Sequence, residues 1–235
     1  MYPLFSFQVP AAFVAVCLSF MSASSHAAGM VPETPVVVVD QASGEATLNV
    51  RNSDDQPALL YSTIEHIPED AEPLLLLNPP VARVEPGKSQ QVRFILREVG
   101  PLKTERLQRV VFEGISPRQG GSGAQVHLTV RQNIPVIVRP ANLAIDRMPW
   151  KRLVWSVAGQ QIRVSNPSPY VVRLSKAASL IPGGVTLDLQ RTYILPGEVL
   201  MLDTSSTLGT HVRLFPATTY GFAVDSYDAP LIVQR

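Results

Sequence analysis

Proline sets the strongest limit on what this chain can fold into. It holds 21 prolines, nearly twice the average share, and they recur along its whole length. A proline inside a helix removes a hydrogen bond and clashes with the preceding turn, so this spacing argues against long helices and for short strands joined by turns. The intervening stretches agree. "PVVVVD" (35–40), "EATLNVRN" (45–52), "ALLYSTIEHI" (58–67), "SQQVRFIL" (89–96) and "RLQRVVFEGI" (106–115) are rich in β-branched and apolar residues, and several alternate in period two. Turn signals separate them: "QASG" (41–44), "NSDDQP" (52–57), "IPEDAEP" (67–73), "EPGK" (85–88) and "SPRQGGSG" (116–123).

This series ends at "RPANL" (139–143), a short hinge candidate, and a second begins. It comprises "RLVWSVAG" (152–159), "QIRVSN" (161–166), "YVVRLSKA" (170–177), "VTLDL" (185–189), "EVLML" (198–202), "HVRLF" (211–215) and "YGFAVDSY" (220–227). About seven short strands in each half of roughly 100 residues suggest two antiparallel sandwiches in tandem. A single large barrel is the alternative, and the Arg-Pro hinge near the midpoint favours two domains.

One strand stands apart. In "VHLTVRQNIPVIVRP" (126–140) Val126, Leu128 and Val130 alternate with His127, Thr129 and Arg131. Residues 134–138 are then nearly all apolar, with Pro135 among them. A proline cannot donate to a central ladder, so Pro135 marks an edge. An edge strand with an apolar row can complete another protein's sheet, at the cost of inviting aggregation. The plainer reading is that the apolar triplet fills its own domain's core.

Residues 1–28 read as a secretory signal. "AAFVAVCLSF" (11–20) is an apolar core and "SASSHAA" (22–28) supplies small residues for cleavage after Ala27 or Ala28, although the usual positive start is absent. A short N-terminal membrane anchor is the alternative, but the apolar run is too short to span comfortably. No other segment predicts membrane insertion. About 207 residues remain, enough for one large or two ordinary domains. The single cysteine, Cys17, lies in the signal, so the mature chain would enter an oxidising space without a disulfide.

The formal net charge is +1, with Lys and Arg spread along the chain. No basic block points to nucleic acid. His66, His127 and His211 show no metal-ligand spacing, and a G-x-S-x-G elbow is absent. "PGKS" (86–89) resembles the end of a phosphate loop, but Ala82 stands where that loop needs glycine. A β-turn explains it better. The sequence therefore predicts no enzyme, no metal and no cofactor, ATP included.

Five stretches in order resemble the periplasmic pilus-assembly chaperones of chaperone–usher systems. They are "LNPPVARVEPGKSQQVRF" (77–94), "TERLQRVVFEGISP" (104–117), "VRP" (138–140), "VSNPSPYVVRL" (164–174) and "TTYGFAVDSYDA" (218–229). The resemblance covers essentially the whole chain after residue 28 and implies an all-β protein. Two immunoglobulin-like β-sandwich domains, residues 29–140 and 141–235, would sit at an angle in an L shape, with the client in the cleft. It implies that the first domain's last strand completes the unfinished sandwich of a pilus or fimbrial subunit, Val126, Leu128 and Val130 being the donor residues. Handover to an outer-membrane usher would follow. Whether the free protein is a monomer or hides its edge in a homodimer stays open.

The resemblance also implies two basic residues in the cleft that anchor the client's C-terminal carboxylate. The positions they would occupy hold Pro35 and Pro135, and Arg131 and Lys151 are the candidate substitutes. An interdomain charge cluster would comprise Glu105, Arg139 and Asp225, the last standing beside the expected position at Ser226. Three rival readings remain: a self-assembling surface subunit, a chaperone for non-pilus surface fibres, and a secreted β-sandwich hydrolase.

Overall fold

The structure is a computed structural model that describes residues 29–98, 100–116, 130–218 and 221–233. Among the described residues the first half contains nine strands: β1 (Met30–Pro32), β2 (Val37–Asp40), β3 (Glu45–Asn52), β4 (Ala58–Glu65), β5 (Leu75–Asn78), β6 (Val81–Val84), β7 (Ser89–Leu96), β8 (Arg106–Ile115) and β9 (Arg131–Arg139). They form two sheets, β1-β3-β7-β5 and β2-β9-β8-β4-β6. Period-two alternation decides what each strand buries. In β7, Val92 and Phe94 point inward while Gln91 and Arg93 face solvent. Phe112 of β8 and Val136 of β9 meet them from the opposite sheet, closing one apolar core.

β9 departs from this alternation, because every residue from Ile134 to Arg139 is buried. Both faces of a strand are covered only where a second layer lies outside the sheet. Ile134, Val136 and Val138 face the first core, while Ile137 packs with Val36, Ile67 and Leu107 against Val171 and Tyr193 of the second half. This explains the continuous apolar run around Pro135. The expectation that Pro135 marks an edge holds for only part of the strand. β8 pairs with β9 along its length, but β2 joins the other side only from Val136 onward. The proline therefore stands at the last residue of an open edge, where its missing N–H interrupts no ladder.

The described part of the second half contains ten strands: β10 (Val154–Ala158), β11 (Gln161–Ser165), β12 (Val172–Leu174), β13 (Ala177–Ile181), β14 (Thr186–Asp188), β15 (Tyr193–Ile194), β16 (Val199–Asp203), β17 (His211–Leu214), β18 (Pro216–Ala217) and β19 (Tyr227–Val233). A seven-stranded sheet, β14-β13-β17-β19-β10-β11-β16, packs on a small one, β15-β12-β18. Trp155, Ile162, Leu180, Leu187 and Val212 fill a core separate from the first. Two independent cores exclude the single-barrel alternative. The stretch 170–177 divides between β12 and β13, which lie in different sheets, and the strand expected at 220–227 instead begins at Tyr227. Among the described residues the one helical element is a 3-10 turn, Pro149–Arg152, just after the hinge.

Candidate functional site

Two features meet where the domains touch. The first is the open edge of β9. Val130, just ahead of it, is 41% exposed, Arg131 and Asn133 are exposed, and Ile134 already turns into the core. Among the described residues only β8 pairs with this strand along residues 131–135, so its other side is an open edge there.

The second is the cleft. At its floor Arg139 Nε donates to Glu105 Oε1 at 3.4 Å, with both residues buried. The other carboxylate oxygen accepts the Val171 N–H at 2.9 Å, and the Glu105 N–H donates to the Pro169 carbonyl at 2.8 Å. One side chain thus ties the hinge arginine of the first domain to the backbone of the second. Burial pushes the Glu105 carboxyl above the usual carboxylate range, and the Val171 N–H and the Arg139 charge only partly offset it. At the rim, Tyr193 Oη donates to Glu69 Oε2 at 2.9 Å, and Arg191 pairs with Glu69 and Glu198.

A separate cavity of about 260 Å³ is lined by residues of both domains. Pro35, Leu107, Arg109, Asn133 and Pro135 come from the first, and Arg173 and Tyr193 from the second. Arg109 is held by Asn133, donating from Nε to the side-chain oxygen and from Nη2 to the carbonyl at 2.8 Å. Arg173 Nη1 is fully buried without a hydrogen-bond partner. Burial, and then the neighbouring Arg109 charge, pull its guanidinium below the usual arginine range.

Comparison with known proteins supplies the family. The description "Pili and flagellar-assembly chaperone, PapD N-terminal domain" matches residues 29–144, and "Pili assembly chaperone PapD, C-terminal domain" matches residues 149–227. The chain belongs to the PapD family of pilus-assembly chaperones. It is similar to the uncharacterized fimbrial chaperone YhcA of Escherichia coli (strain K12), with 43% identity over 88% of this chain and 92% of that one. The chaperone protein AfaB of Escherichia coli is 30% identical over 68% of this chain and 70% of its own. Among solved structures, the E. coli chaperone DraB superposes with a TM-score of 0.71 at 25% identity, covering 87% of this chain and 99% of that one. The SafB chaperone, solved with the Salmonella enterica SafA pilin, shares the fold, with a TM-score of 0.73 at 20% identity over 88% and 99% of the two chains.

The residues that the family resemblance singles out fall as follows. Val126 and Leu128 lie outside the described residues, as does His127, and Val130 stands exposed at the head of the open edge. Glu105 and Arg139 pair, but Asp225 is exposed and makes no ion pair with Arg139, so among the described residues the buried pair has two members and not three. Pro35 and Pro135 do share one cavity. Neither suggested substitute lines it: Arg131 is engaged by Glu65 and Glu113, and Lys151 stands 5.8 Å from the Tyr227 ring centre.

The cations that do line the cavity are Arg109 and Arg173, which the sequence reading passed over. Arg109 lies in the ten-residue β8 and Arg173 in the three-residue β12, each beside apolar residues, where a charge normally reads as solvated. The available signal was the alternation in "RLQRVV", which turns Leu107 and Arg109 away from the core that takes Val110 and Phe112. His66 is bound by Gln108 and His211 by Thr210, and no described cluster of His, Cys, Asp or Glu could hold a metal.

Proposed function

We propose that this protein is a periplasmic chaperone that binds pilus or fimbrial subunits by lending them a β-strand. The observation that carries the reading is β9, a strand unpaired on one side along residues 131–135 and locked between domains beyond them. A partner strand laid on the open side gains main-chain hydrogen bonds, and apolar side chains at alternate positions give it specificity. Val130 is exposed at the head of that row, and Val126 and Leu128 precede it in the same period-two series. SafB, which shares the fold, is solved with a pilin, and that partner class transfers to this chain as its client.

Under this reading residues 1–28 direct export and are removed. The client leaves when another subunit's extension displaces the donor strand at an outer-membrane usher. Strand exchange of this kind makes and breaks no covalent bond, so the protein acts without catalysis and without ATP.

The test is periplasmic co-expression with a candidate subunit, comparing wild type with Leu128→Glu. A carboxylate forced into an apolar groove is strongly unfavourable. Wild type should copurify one-to-one with the subunit, and the folded variant should not. Equal recovery of subunit with both proteins would refute strand donation in this register.

A further inference from the structure

We infer that Glu69 is a positioning residue: from the tip of a first-domain loop it holds Tyr193 and Arg191 of the second domain, and so fixes the second-domain wall of the interdomain cavity. What this does for a client rests on the strand-lending reading; the hold on the second domain does not. The loop, residues 66–73, follows β4, and its Ile67 is buried in one apolar cluster with Val171 and Tyr193. The Asp70 N–H donates to the Ile67 carbonyl at 3.1 Å, closing a tight turn around Pro68 and Glu69. β8 pins the foot of this turn: Arg106 pairs with Asp70 and Glu72, and Gln108 Nε2 donates to the Glu72 carbonyl. β8 also carries Leu107 and Arg109, which line the cavity. The strap and the first-domain wall thus share one strand as their base.

The second domain is shaped to receive it. Tyr193 lines the cavity and donates from Oη to Glu69 Oε2 at 2.9 Å. Burial, and then the bond to Glu69, push its hydroxyl above the usual range, so it stays a donor. Arg191 donates to both Glu69 and Glu198 and lies over the Tyr193 ring, 5.0 Å from its centre. Gln190, immediately before Arg191, has φ +63°, a left-handed conformation rare for a residue with a side chain. Strain of this kind persists only where the surroundings over-determine it, and here it precedes the side chain that meets the strap. The Glu105 joint stands apart from Glu69, across a cavity of about 300 Å³ that both residues line. A single joint leaves the domains free to pivot about it; a second, set away from the first, removes most of that freedom. Glu69 keeps 30% of its side-chain surface in solvent, and a partly exposed ion pair adds little to stability. Its effect therefore belongs in the domain geometry and not in the melting temperature.

The test is an interdomain distance distribution. Spin labels are placed through Lys88→Cys and Lys176→Cys, exposed positions in the first and second domains, and read by double electron–electron resonance. The chain's single cysteine, Cys17, lies in the signal and does not compete for label in the exported protein. Glu69→Ala should broaden and shift the distribution, while the melting temperature falls by no more than about 4 °C. Tyr193→Phe, which keeps the ring and loses the hydroxyl, should broaden it from the other side of the contact. Glu69→Gln, which keeps an acceptor for Tyr193, should fall between wild type and Glu69→Ala. A distribution unchanged in both Glu69→Ala and Tyr193→Phe overturns the proposal, and a large fall in melting without broadening makes Glu69 a structural residue only.

A second arm separates the strap from strand lending. The rate at which a copurified subunit leaves the chaperone is compared for wild type and Glu69→Ala. A cleft that is no longer held in place must be ordered on binding, so release from the variant should be about tenfold faster. Equal release rates beside a broadened distribution would overturn the role of Glu69 toward the client. If wild type holds no subunit, the strand-lending reading fails, and a broadened distribution in Glu69→Ala still upholds the strap.

Discussion

Arg139→Ala removes the cation from beneath the interdomain contact and leaves Glu105 behind. Both residues are buried and the pair is 3.4 Å apart, and deleting one partner of such a pair costs about 3–5 kcal/mol. Two details place this case at the lower end. Glu105 keeps the Val171 N–H, and burial already holds its carboxyl above the ordinary value, which makes protonation an accessible escape. A loss of about 3 kcal/mol lowers the melting temperature of a chain this size by roughly 6–12 °C if the domains melt together.

The loss has a definite pH signature. A carboxyl whose folded value is raised contributes most when protonated, and that contribution fades as pH rises from the ordinary 4.5 through the folded value. Removing Arg139 takes away an influence that lowers it, so the variant's deficit should be small near pH 4.5 and largest at neutral pH. Circular dichroism melts at both pH values measure this. Tryptophan fluorescence adds a view of the second domain alone, since Trp150 and Trp155, the chain's 2 tryptophans, both lie there. A deficit below about 1 kcal/mol, or one equal at the two pH values, would refute the account of the pair.

Three further substitutions probe the two domains, one of them as a control. Gly221 has φ +83°, and a Cβ there would lie 2.7 Å from Pro35 Cγ, so Gly221→Ala should destabilise by about 2 kcal/mol. Gly44→Ala, at φ +71° with open space around it, should lose only about 1 kcal/mol in the same melts. Equal losses would show that the approach to Pro35 does not matter. The hydrogen bond from Arg106 holds the Asp70 carboxyl below the usual range. Stability from that pairing is present above the ordinary value of 3.8 and is lost as pH falls through the folded one. The acid side of the stability profile should therefore be steeper in wild type than in Asp70→Asn, and superimposable profiles would sink the assignment.

Where the sequence was readable, the reason is local. β3, β4 and β7 alternate between one core and solvent, and that pattern is written in their own residues. β5, β15 and β18 are too short to show a period, and they exist because longer neighbours offer them a ladder. The break between β12 and β13 depends on which sheet each half can reach, which no local signal records. Pro135 correctly indicated an edge, but its extent is set by where β2, about 100 residues away in the chain, begins to pair.

The site shows the same division. Glu105 and Arg139 were visible through family resemblance, because their surrounding motifs are kept. Arg109 and Arg173 were not, because each becomes notable only when the second domain covers β8 and buries β12. Asp225 stands beside the family position at Ser226, in a stretch the sequence predicts as a strand; that strand begins only at Tyr227, and Asp225 lies exposed ahead of it.

β9 runs without interruption from Arg131, next to the exposed Val130, past Pro135 at the cavity, to Arg139 at the hinge. A strand advances roughly 3.3 Å per residue and cannot stretch, so the strand works as a ruler with its zero at the domain junction. Pro135 lies roughly 13 Å from that zero and Val130 roughly 30 Å from it. Adding or deleting one residue between 130 and 139 would turn every later side chain to the opposite face.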